Sequence, residues 1–597
     1  MLNPAQASVV TTEGHCLVAA GPGSGKTHVA SMRAARLLKD YPTDRLCAVT
    51  FTAEAARELT ARILRLVPTA KGRLSSGTFH SLCMRQLTSG GKRPRLIHEY
   101  QSKDILRRIH SDLQRRGFSE EFDVFLLAVM GLKSNVDGMT YGEGSEMHRL
   151  ALRLYQEALD ERGVLDFADL INHSVLGMRE GKVPLVPVQH LLIDEFQDTD
   201  GSQYAWMAAH RDQGVQITIV GDDDQSIYAW RWALGYHGMK RFEQESRATM
   251  IALDTTYRCE RRIVMAAAQL IAHNPNRIPK HLKTAKVEMG EVRVINCRTR
   301  DQELGVIADR LEEALQRDAL ASPPVPRTYG VLARTNNHLD LLETHLRGRV
   351  NYERVGGTSL WDLLGPTLLL GVLRSIANHD LIGVDALLGR CGYTDAQLAA
   401  LRVACNIKVQ GSGLRFIHCD MSTLRKINPD LVRFRQLYKE WSGFAHAGKL
   451  SNALGGIVAE ISSQVEWGGR ANPSPEVINE ENRRLAACSN AISKLTGTIA
   501  EVVRKLELRA PSEASKPVRL MTLHGSKGLE FDEVWMMACE QGVLPSTGGI
   551  VEEDRRLMYV GMTRARSVLT VSHATEGGTA ASQFITEAGL FESVSVS

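Results

Sequence analysis

Two short segments constrain this chain more than anything else in it: Ala20-Gly-Pro-Gly-Ser-Gly-Lys-Thr27 and His190-Leu-Leu-Ile-Asp-Glu-Phe-Gln-Asp198. Ahead of the first lies Cys16-Leu-Val-Ala-Ala20, a short apolar run predicted as a buried strand. After it, Lys26 to Leu38 reads as an amphipathic helix. Strand, glycine turn and helix in that order are the context a phosphate loop requires. Gly21, Gly23 and Gly25, with Pro22 and Ser24 between them, let backbone N–H groups converge on phosphate oxygens without Cβ clashes. The helix N-terminus adds the positive end of its dipole. Lys26 supplies a mobile charge for the β- and γ-phosphates, and the Thr27 hydroxyl is a candidate Mg²⁺ ligand. Ala20 takes the first motif position, which a strand end tolerates. The bland alternative, a glycine turn that binds nothing, leaves the flanking strand and helix unexplained.

In the second segment Leu191-Leu-Ile193 is the strand, and Asp194 and Glu195 follow it directly. Acids at the end of an apolar strand sit where open α/β sheets do their chemistry. Asp194 is placed to hold the hydration shell of Mg²⁺, and Glu195 to act as general base for an attacking water. The pair of segments predicts binding and hydrolysis of a nucleoside triphosphate.

Length and charge bound the rest. A chain of 597 residues predicts several domains, and a net charge of +4 permits a nucleic-acid partner without demanding one. No apolar stretch is long enough to span a bilayer, so no membrane partner is expected. Met1-Leu-Asn-Pro-Ala-Gln6 lacks the basic and apolar regions of a secretion signal. Ten cysteines without a C-x-x-C pair argue against zinc and disulfide frameworks and fit a cytoplasmic protein.

Further strand-like runs are Leu46–Phe51, Ile217–Val220, Tyr329–Ala333, Val518–Met521 and Val568–Val571, with helical patterns such as Ala53–Leu66 and Val306–Leu315 between them. This alternation predicts α/β folding with parallel sheets covered by helices, in two cores. Residues near 101–162 and 379–515 lack strands. Ser102–Arg115 and Met147–Arg162 are helical there, and Gly411-Ser-Gly413 and Asn472-Pro-Ser-Pro475 are breaks. Each region reads as a helical insertion in a core. Ser322-Pro-Pro-Val-Pro326 reads as a surface loop.

Taken together, the motifs resemble those of superfamily 1 DNA helicases of the UvrD/Rep type, from Leu2 to about Phe584. Leu2-Asn-Pro-Ala-Gln6 is similar to the adenine-reading glutamine motif. Thr50-Phe-Thr52 and Gly77-Thr-Phe-His-Ser81 are similar to DNA-contacting motifs. Gly221-Asp-Asp-Asp-Gln-Ser-Ile-Tyr-Ala-Trp-Arg231, Thr256-Tyr-Arg258, Thr522-Leu-His-Gly-Ser-Lys-Gly-Leu-Glu-Phe531 and Arg556-Leu-Met-Tyr-Val-Gly-Met-Thr-Arg-Ala565 complete the set in family order.

The resemblance implies two RecA-like P-loop cores with ATP between them. By motif position, 1–100 and 163–256 would form the first core around the 101–162 insertion. Residues 257–378 and 516–597 would form the second around the accessory insertion 379–515. Gln6 would bond adenine, with His28 beside it and Tyr257 stacked on it. Gln225 would sense the γ-phosphate. Arg258 and Arg564 would reach it as arginine fingers, a role suited to a planar, permanently charged group. Glu530 would touch the ribose, and His524 would couple nucleotide to DNA. On the DNA side, Phe51, Trp230 and Phe167 are the stacking candidates, with Thr52, His80 and Arg231 as polar contacts. Aromatic stacking grips single strands without regard to sequence. The implied activity is ATP-dependent 3′→5′ movement on single-stranded DNA and ss/ds junctions, coupled to unwinding or protein displacement. The alternative is a DNA-stimulated ATPase serving a partner nuclease in repair, plasmid transfer or anti-phage defence.

Four departures from the family pattern stand out. His28 replaces an arginine, and Ala53-Glu54 an Asn-Lys pair; Glu54 is expected to point away from DNA or weaken contact. Trp232 replaces a small residue; it either extends the stacking platform or packs against a neighbouring domain. Between His573 and Phe584 no aromatic side chain stands where the family carries a strand-separating pin, and a tight Gly577-Gly578 hairpin turn is expected instead. No fused nuclease or basic tail is expected beyond these motifs.

Overall fold

The computed structural model describes residues 2–89, 94–137, 144–321, 327–406, 411–465, 475–507, 518–591 and 594–595. The 322–326 loop and residues 472–474 of the second break lie outside these. The chain divides into two compact units. One holds Met1–Val292, Pro545–Ser567 and Gln583–Leu590; the other holds Arg293–Leu544, Val568–Ser582 and Phe591–Ser597.

The first unit is built on a six-stranded sheet: β1 (Cys16–Ala20), β2 (Leu46–Val49), β3 (Leu74–Gly77), β4 (His190–Ile193), β5 (Gln216–Gly221) and β6 (Thr249–Leu253). Their spatial order is β3-β2-β4-β5-β1-β6, and every pairing is parallel. Helices cover both faces, so β1, β2 and β4 are buried along their whole length, which is why they read as unbroken apolar runs. The two-residue period of a strand splits them between two cores. Leu17, Ala19, Cys47, Val49, Leu191 and Ile193 face one; Cys16, Val18, Ala20, Leu46, Ala48 and Leu192 face the other.

This register brings the functional loops to one edge. The glycine loop leaves β1, Thr50 and Phe51 leave β2, Asp194 and Glu195 leave β4, and Asp222–Gln225 leave β5, all at the carboxyl ends of neighbouring strands. Strand β2 is shorter than its apolar pattern suggests. It ends at Val49, and Phe51 turns outward with 44% of its surface exposed. Strands β3 and β6 are the sheet edges and only partly covered, and β3, Leu-Ser-Ser-Gly, carries no apolar pattern.

The helices Glu99–Gln114, Phe122–Lys133 and Glu146–Arg162 form the inserted region, with a core of Leu106, Ile109, Leu113, Phe125, Val129 and Tyr155. Lys133 ties it to the sheet-bearing part. Its Nζ is buried 2.9 Å from both Asp166 and Asp169. The same unit takes in residues 257–292, 545–567 and 583–590, stretches that the motif reading groups with the second sheet. Here β7 (Thr255–Thr256) pairs with β8 (Lys283–Thr284). The Asn274 side chain links helix Arg261–Ile271 to helix Val551–Met562 through Glu552 and Arg555.

The second unit carries β9 (Glu291–Cys297), β10 (Tyr329–Ala333), β11 (Tyr352–Arg354), β12 (Val518–Thr522), β13 (Phe531–Met536), β14 (Ala565–Ala574) and β15 (Val594–Ser595), in the order β11-β12-β10-β13-β14-β9-β15. The β10–β12, β10–β13, β11–β12 and β9–β15 pairs are parallel. Its helical part starts earlier than composition suggests: the apolar core runs from Leu360 to Leu506. Gly411, at φ +90°, opens the helix Ser412–His418 rather than a long break.

After β14 the expected hairpin is absent. Glu576–Gly578 is a single 3₁₀ turn with Gly577 and Gly578 at positive φ. The chain then bonds to residues 539–541 instead of back along β14: Gln541 N donates to Ala580 O and Ser582 N to Cys539 O, each at 3.0 Å. The Glu540 carboxylate accepts from Ala574 N at 2.6 Å and holds the turn's start.

Candidate functional site

At the β1 edge the glycine loop is shaped by its surroundings. Gly23 and Gly25 adopt φ of +65° and +84°, where a side chain would be strained. A Cβ on Gly23 would also lie 2.6 Å from Arg258 Cβ. Gly25 occupies the N-cap of helix Lys26–Asp40 without a side-chain cap. The first-turn N–H groups therefore face the loop. Tyr257 N donates to Gly23 O at 2.9 Å, which anchors the segment carrying Tyr257 and Arg258 on the loop.

Gln6 is buried beside this loop. Its Nε2 donates to Ser24 O at 3.0 Å and its Oε1 accepts from Asn3 N at 3.0 Å, while Asn3 Oδ1 accepts from Gln6 N at 2.8 Å. This reciprocal cap fixes the N-terminal helix Pro4–Thr11. The Gln6 amide thus braces the phosphate loop. Asn3 Nδ2 reaches the Tyr257 hydroxyl at 3.0 Å, and the Tyr257 ring is 44% exposed. His28 is exposed on the first helical turn.

Lys26 Nζ lies 3.6 Å from Glu195 Oε2. Gln197 Nε2 donates to the same oxygen at 2.6 Å. Glu195 itself sits in the left-handed region at φ 51°, an unusual place for a non-glycine residue. Asp194 Oδ1 accepts from Glu195 N at 3.0 Å. Burial pushes the Asp194 carboxyl up to about 7, reinforced by the Glu195 charge and opposed by Lys26. A carboxylate short of positive charge at the end of β4, with the Thr27 hydroxyl on the first turn after the glycine loop, offers oxygen donors of the kind a hard divalent cation takes.

In the loop after β5, Gln225 is buried. Its Nε2 donates to Asp222 Oδ2 at 2.5 Å, and its Oε1 accepts from Arg564 at 3.1 Å. Arg564 also donates to Val560 O at 2.9 Å and Thr563 Oγ1 at 3.2 Å. Arg258 donates to Thr563 O at 3.2 Å. Burial lowers Arg564 to about 10, and the neighbouring Arg258 charge adds to the effect. Two neighbouring guanidiniums, one of them fully buried, make a strong site for a polyanion.

Sequence reasoning missed Lys280 and Arg277. Asp222, Asp223 and Asp224 bring their carboxylate oxygens within 4.8 Å of one another. The cation among them is the Lys280 ammonium, at 2.8, 2.5 and 3.0 Å. Burial by itself would lower Lys280, but the three carboxylates outweigh it and hold it above the usual lysine range. Arg277 forks onto Asp224 at 2.9 and 2.7 Å. The only sequence signal was the acidic run itself, which needs counter-charge from somewhere.

A second feature of the first unit is a groove of about 620 Å³. Phe51 and Tyr228 stack at 6.1 Å and 3°, Trp230 meets Tyr228 edge-on, and Arg231 lies 4.4 Å over the Trp230 ring. His80 and Phe167 form a second, edge-to-face pair at 5.5 Å, and burial lowers the His80 pKa. Phe167 opens the helix Phe167–Arg179, whose cap is Asp166. The Thr52 hydroxyl is spent on capping Ala53–Leu66. Glu54 is exposed in that helix's first turn, where the dipole favours an acid, and does not line the groove. His524 lies in a 3₁₀ turn after β12, and Glu530 directly precedes β13, both in the second unit.

Comparison with known proteins identifies the family. Residues 2–246 match the family model of the UvrD/REP helicase N-terminal domain, and residues 474–576 that of the UvrD-like helicase C-terminal domain. The chain is 30% identical over 615 residues to DNA helicase II of Haemophilus influenzae, covering 94% of this chain and 82% of that protein. It is 29% identical over 631 residues to the ATP-dependent DNA helicase PcrA of Staphylococcus aureus, covering 95% and 82%. It is 28% identical over 628 residues to the ATP-dependent DNA helicase Rep of Salmonella typhimurium, covering 96% and 91%. No helix among the described residues is long and apolar enough to cross a membrane.

Proposed function

The chain belongs to the UvrD/REP helicase family and is an ATP-dependent DNA helicase, and from that premise we propose that it moves 3′→5′ on single-stranded DNA by closing and opening the site around Lys26. The observation that carries ATP-driven movement is the pairing of Lys26 with Glu195 and of Gln225 with Arg564, whose guanidinium also feels the Glu195 charge; the polarity rests on the family alone.

Lys26 neighbours Glu195. A bound γ-phosphate draws the ammonium to itself and frees the carboxylate, which Gln197 keeps oriented. Glu195 then takes a proton from water as the water oxygen bonds to the γ-phosphorus and the bond to the β-phosphate oxygen breaks. Arg564 and Arg258 meet the charge that develops on the transferred group, and Gln225 links that charge to the Asp222 loop. Thr27 and Asp194 would hold Mg²⁺, which supplies further neutralisation of the phosphates when bound. The exposed Tyr257 ring is the stacking surface for adenine, with His28 at its rim. Gln6 acts through the loop it braces. Glu530 is assigned to the ribose and His524 to communication with DNA, on motif position alone.

The aromatic groove is the grip on unpaired bases. Phe51, Trp230 and Phe167 stack, and His80 and Arg231 add polar contacts. Each stacked base is worth about 1–3 kcal/mol irrespective of sequence. One observation favours a second reading, a DNA-stimulated translocase that separates strands poorly without a partner such as a nuclease: the turn at 576–578 bears no aromatic side chain.

ATP turnover with and without single-stranded DNA, run beside displacement of 3′-tailed and 5′-tailed duplexes, tests both. Stimulation with displacement of the 3′-tailed duplex alone is the expected result. Displacement from a 5′ tail would refute the polarity. Stimulation without displacement would select the second reading, and turnover indifferent to DNA would refute coupling altogether.

A further inference from the structure

Two local rules are broken at one contact in the first unit. Trp232 sits in the left-handed region at φ 60° and ψ 26°, a conformation that bulky side chains rarely take. Gly131 lies near the end of helix Phe122–Lys133, where glycine weakens a helix relative to alanine. Neither makes sense alone. Together they do, because a Cβ on Gly131 would lie 2.3 Å from Trp232 Nε1. The helix gives up a side chain so that the indole can seat against its backbone. Local penalties of this kind collect at functional sites.

The seated indole does more than pack. Trp232 lines the aromatic groove, and the wall continues from it across Met130 and Leu127 of the same helix. Leu127 is 44% exposed. The groove thereby runs past the Phe51–Tyr228–Trp230 cluster onto the inserted region. Arg231, stacked over Trp230, supplies a cation beside it. Flat apolar surface next to a guanidinium fits an unpaired nucleobase and its phosphate.

We propose that Trp232, seated on Gly131, forms an added subsite for an unpaired nucleobase, bounded by Met130 and Leu127. The proposal rests on the reading of the groove as the single-strand grip. Trp232 is a base-contacting residue in it, and Gly131 is a positioning residue. The subsite also lets a bound base bridge the core and the inserted helices.

The test is binding of labelled oligo(dT) to full-length W232G, W232F, W232L, G131A and W232G/G131A at several salt concentrations. Glycine suits the left-handed backbone, so W232G removes the ring without adding strain. W232G and W232L are expected to bind about tenfold more weakly than the parent, and W232F within about threefold of it. The slope of log K against log salt should not change, because stacking releases no counterions. G131A should weaken binding alone but add nothing in the W232G background. Full binding by W232L would make Trp232 a packing residue and overturn the proposal. So would binding by W232G within twofold of the parent, or additive losses in the double variant. If the parent itself fails to bind oligo(dT), the reading of the groove falls, and the subsite with it.

Discussion

Lys280 offers the sharpest test of how the γ-phosphate side of the site is held. Its ammonium lies 2.8, 2.5 and 3.0 Å from Asp222, Asp223 and Asp224, and all four side chains are fully buried. Lys280→Met keeps the bulk and removes the charge. Removing one partner from a buried ion cluster costs about 3–5 kcal/mol, because the remaining charges are left desolvated. Arg277 still covers Asp224, which places the expected cost near the lower end, about 3 kcal/mol. At roughly 2–4 °C per kcal/mol for a unit of this size, melting should fall by roughly 6–12 °C. The loss also has a pH signature. Burial already raises the Asp223 carboxyl above its ordinary value, against the pull of Lys280, and without that pull it rises further. A carboxyl whose folded pKa exceeds its unfolded one binds protons more tightly when folded, so stability drops as pH climbs from the unfolded value through the folded one. The deficit of the variant should therefore be smaller at about pH 5 than at about pH 8. Adding Asp223→Asn removes one stranded charge and should recover part of it. Asp222 also holds Gln225 at 2.5 Å, so ATP turnover should fall in K280M. Thermal melting by circular dichroism at the two pH values checks this. A fall below about 2 °C, or an equal deficit at both pH values, would refute the argument that three buried carboxylates depend on this ammonium.

Glu195→Gln should lower ATP turnover by about 10²–10⁴-fold while nucleotide still binds; steady-state turnover beside a fluorescent-nucleotide titration reads both, and near-normal turnover would remove Glu195 from the base role. Arg564→Lys keeps a charge but loses the planar fork that meets Gln225, Thr563 and Val560, so kcat should drop by about 10³-fold or more; a value within tenfold of the parent would contradict the finger assignment. Gly23→Ala combines a left-handed φ with a Cβ 2.6 Å from Arg258 Cβ, and nucleotide titration should find binding lost or severely weakened. Phe51→Ala breaks the stack with Tyr228 and should weaken oligo(dT) binding by about 1–3 kcal/mol with an unchanged salt slope; an altered slope would mean Phe51 acts through charge placement instead.

The parts of the site legible in the sequence are those whose chemistry is satisfied within a few residues. A phosphate loop needs glycines, a lysine and a hydroxyl in consecutive positions between a strand and a helix, and 20–27 supplies them. Helix Ala53–Leu66 and strand Tyr329–Ala333 have the bounds their patterns predict, because burial on one face leaves a period and burial on both leaves an unbroken apolar run. Strand β3, Leu-Ser-Ser-Gly, leaves none. It is an edge strand, half exposed, and its place is set by pairing with β2 rather than by its own side chains.

The sequence by itself determined the kind of fold and the inventory of reacting groups, since these follow from local spacing and from periodicity. Tertiary structure alone decided how that inventory is used. It turned Gln6 onto Ser24, answered the acidic run at 222–224 with a lysine more than fifty residues away, and seated Trp232 against a glycine in another helix. Each depends on charge compensation or volume exclusion between segments distant in sequence. Neither leaves a period or a motif, because the partner that satisfies a buried group is fixed by where the chain returns and not by what stands beside it.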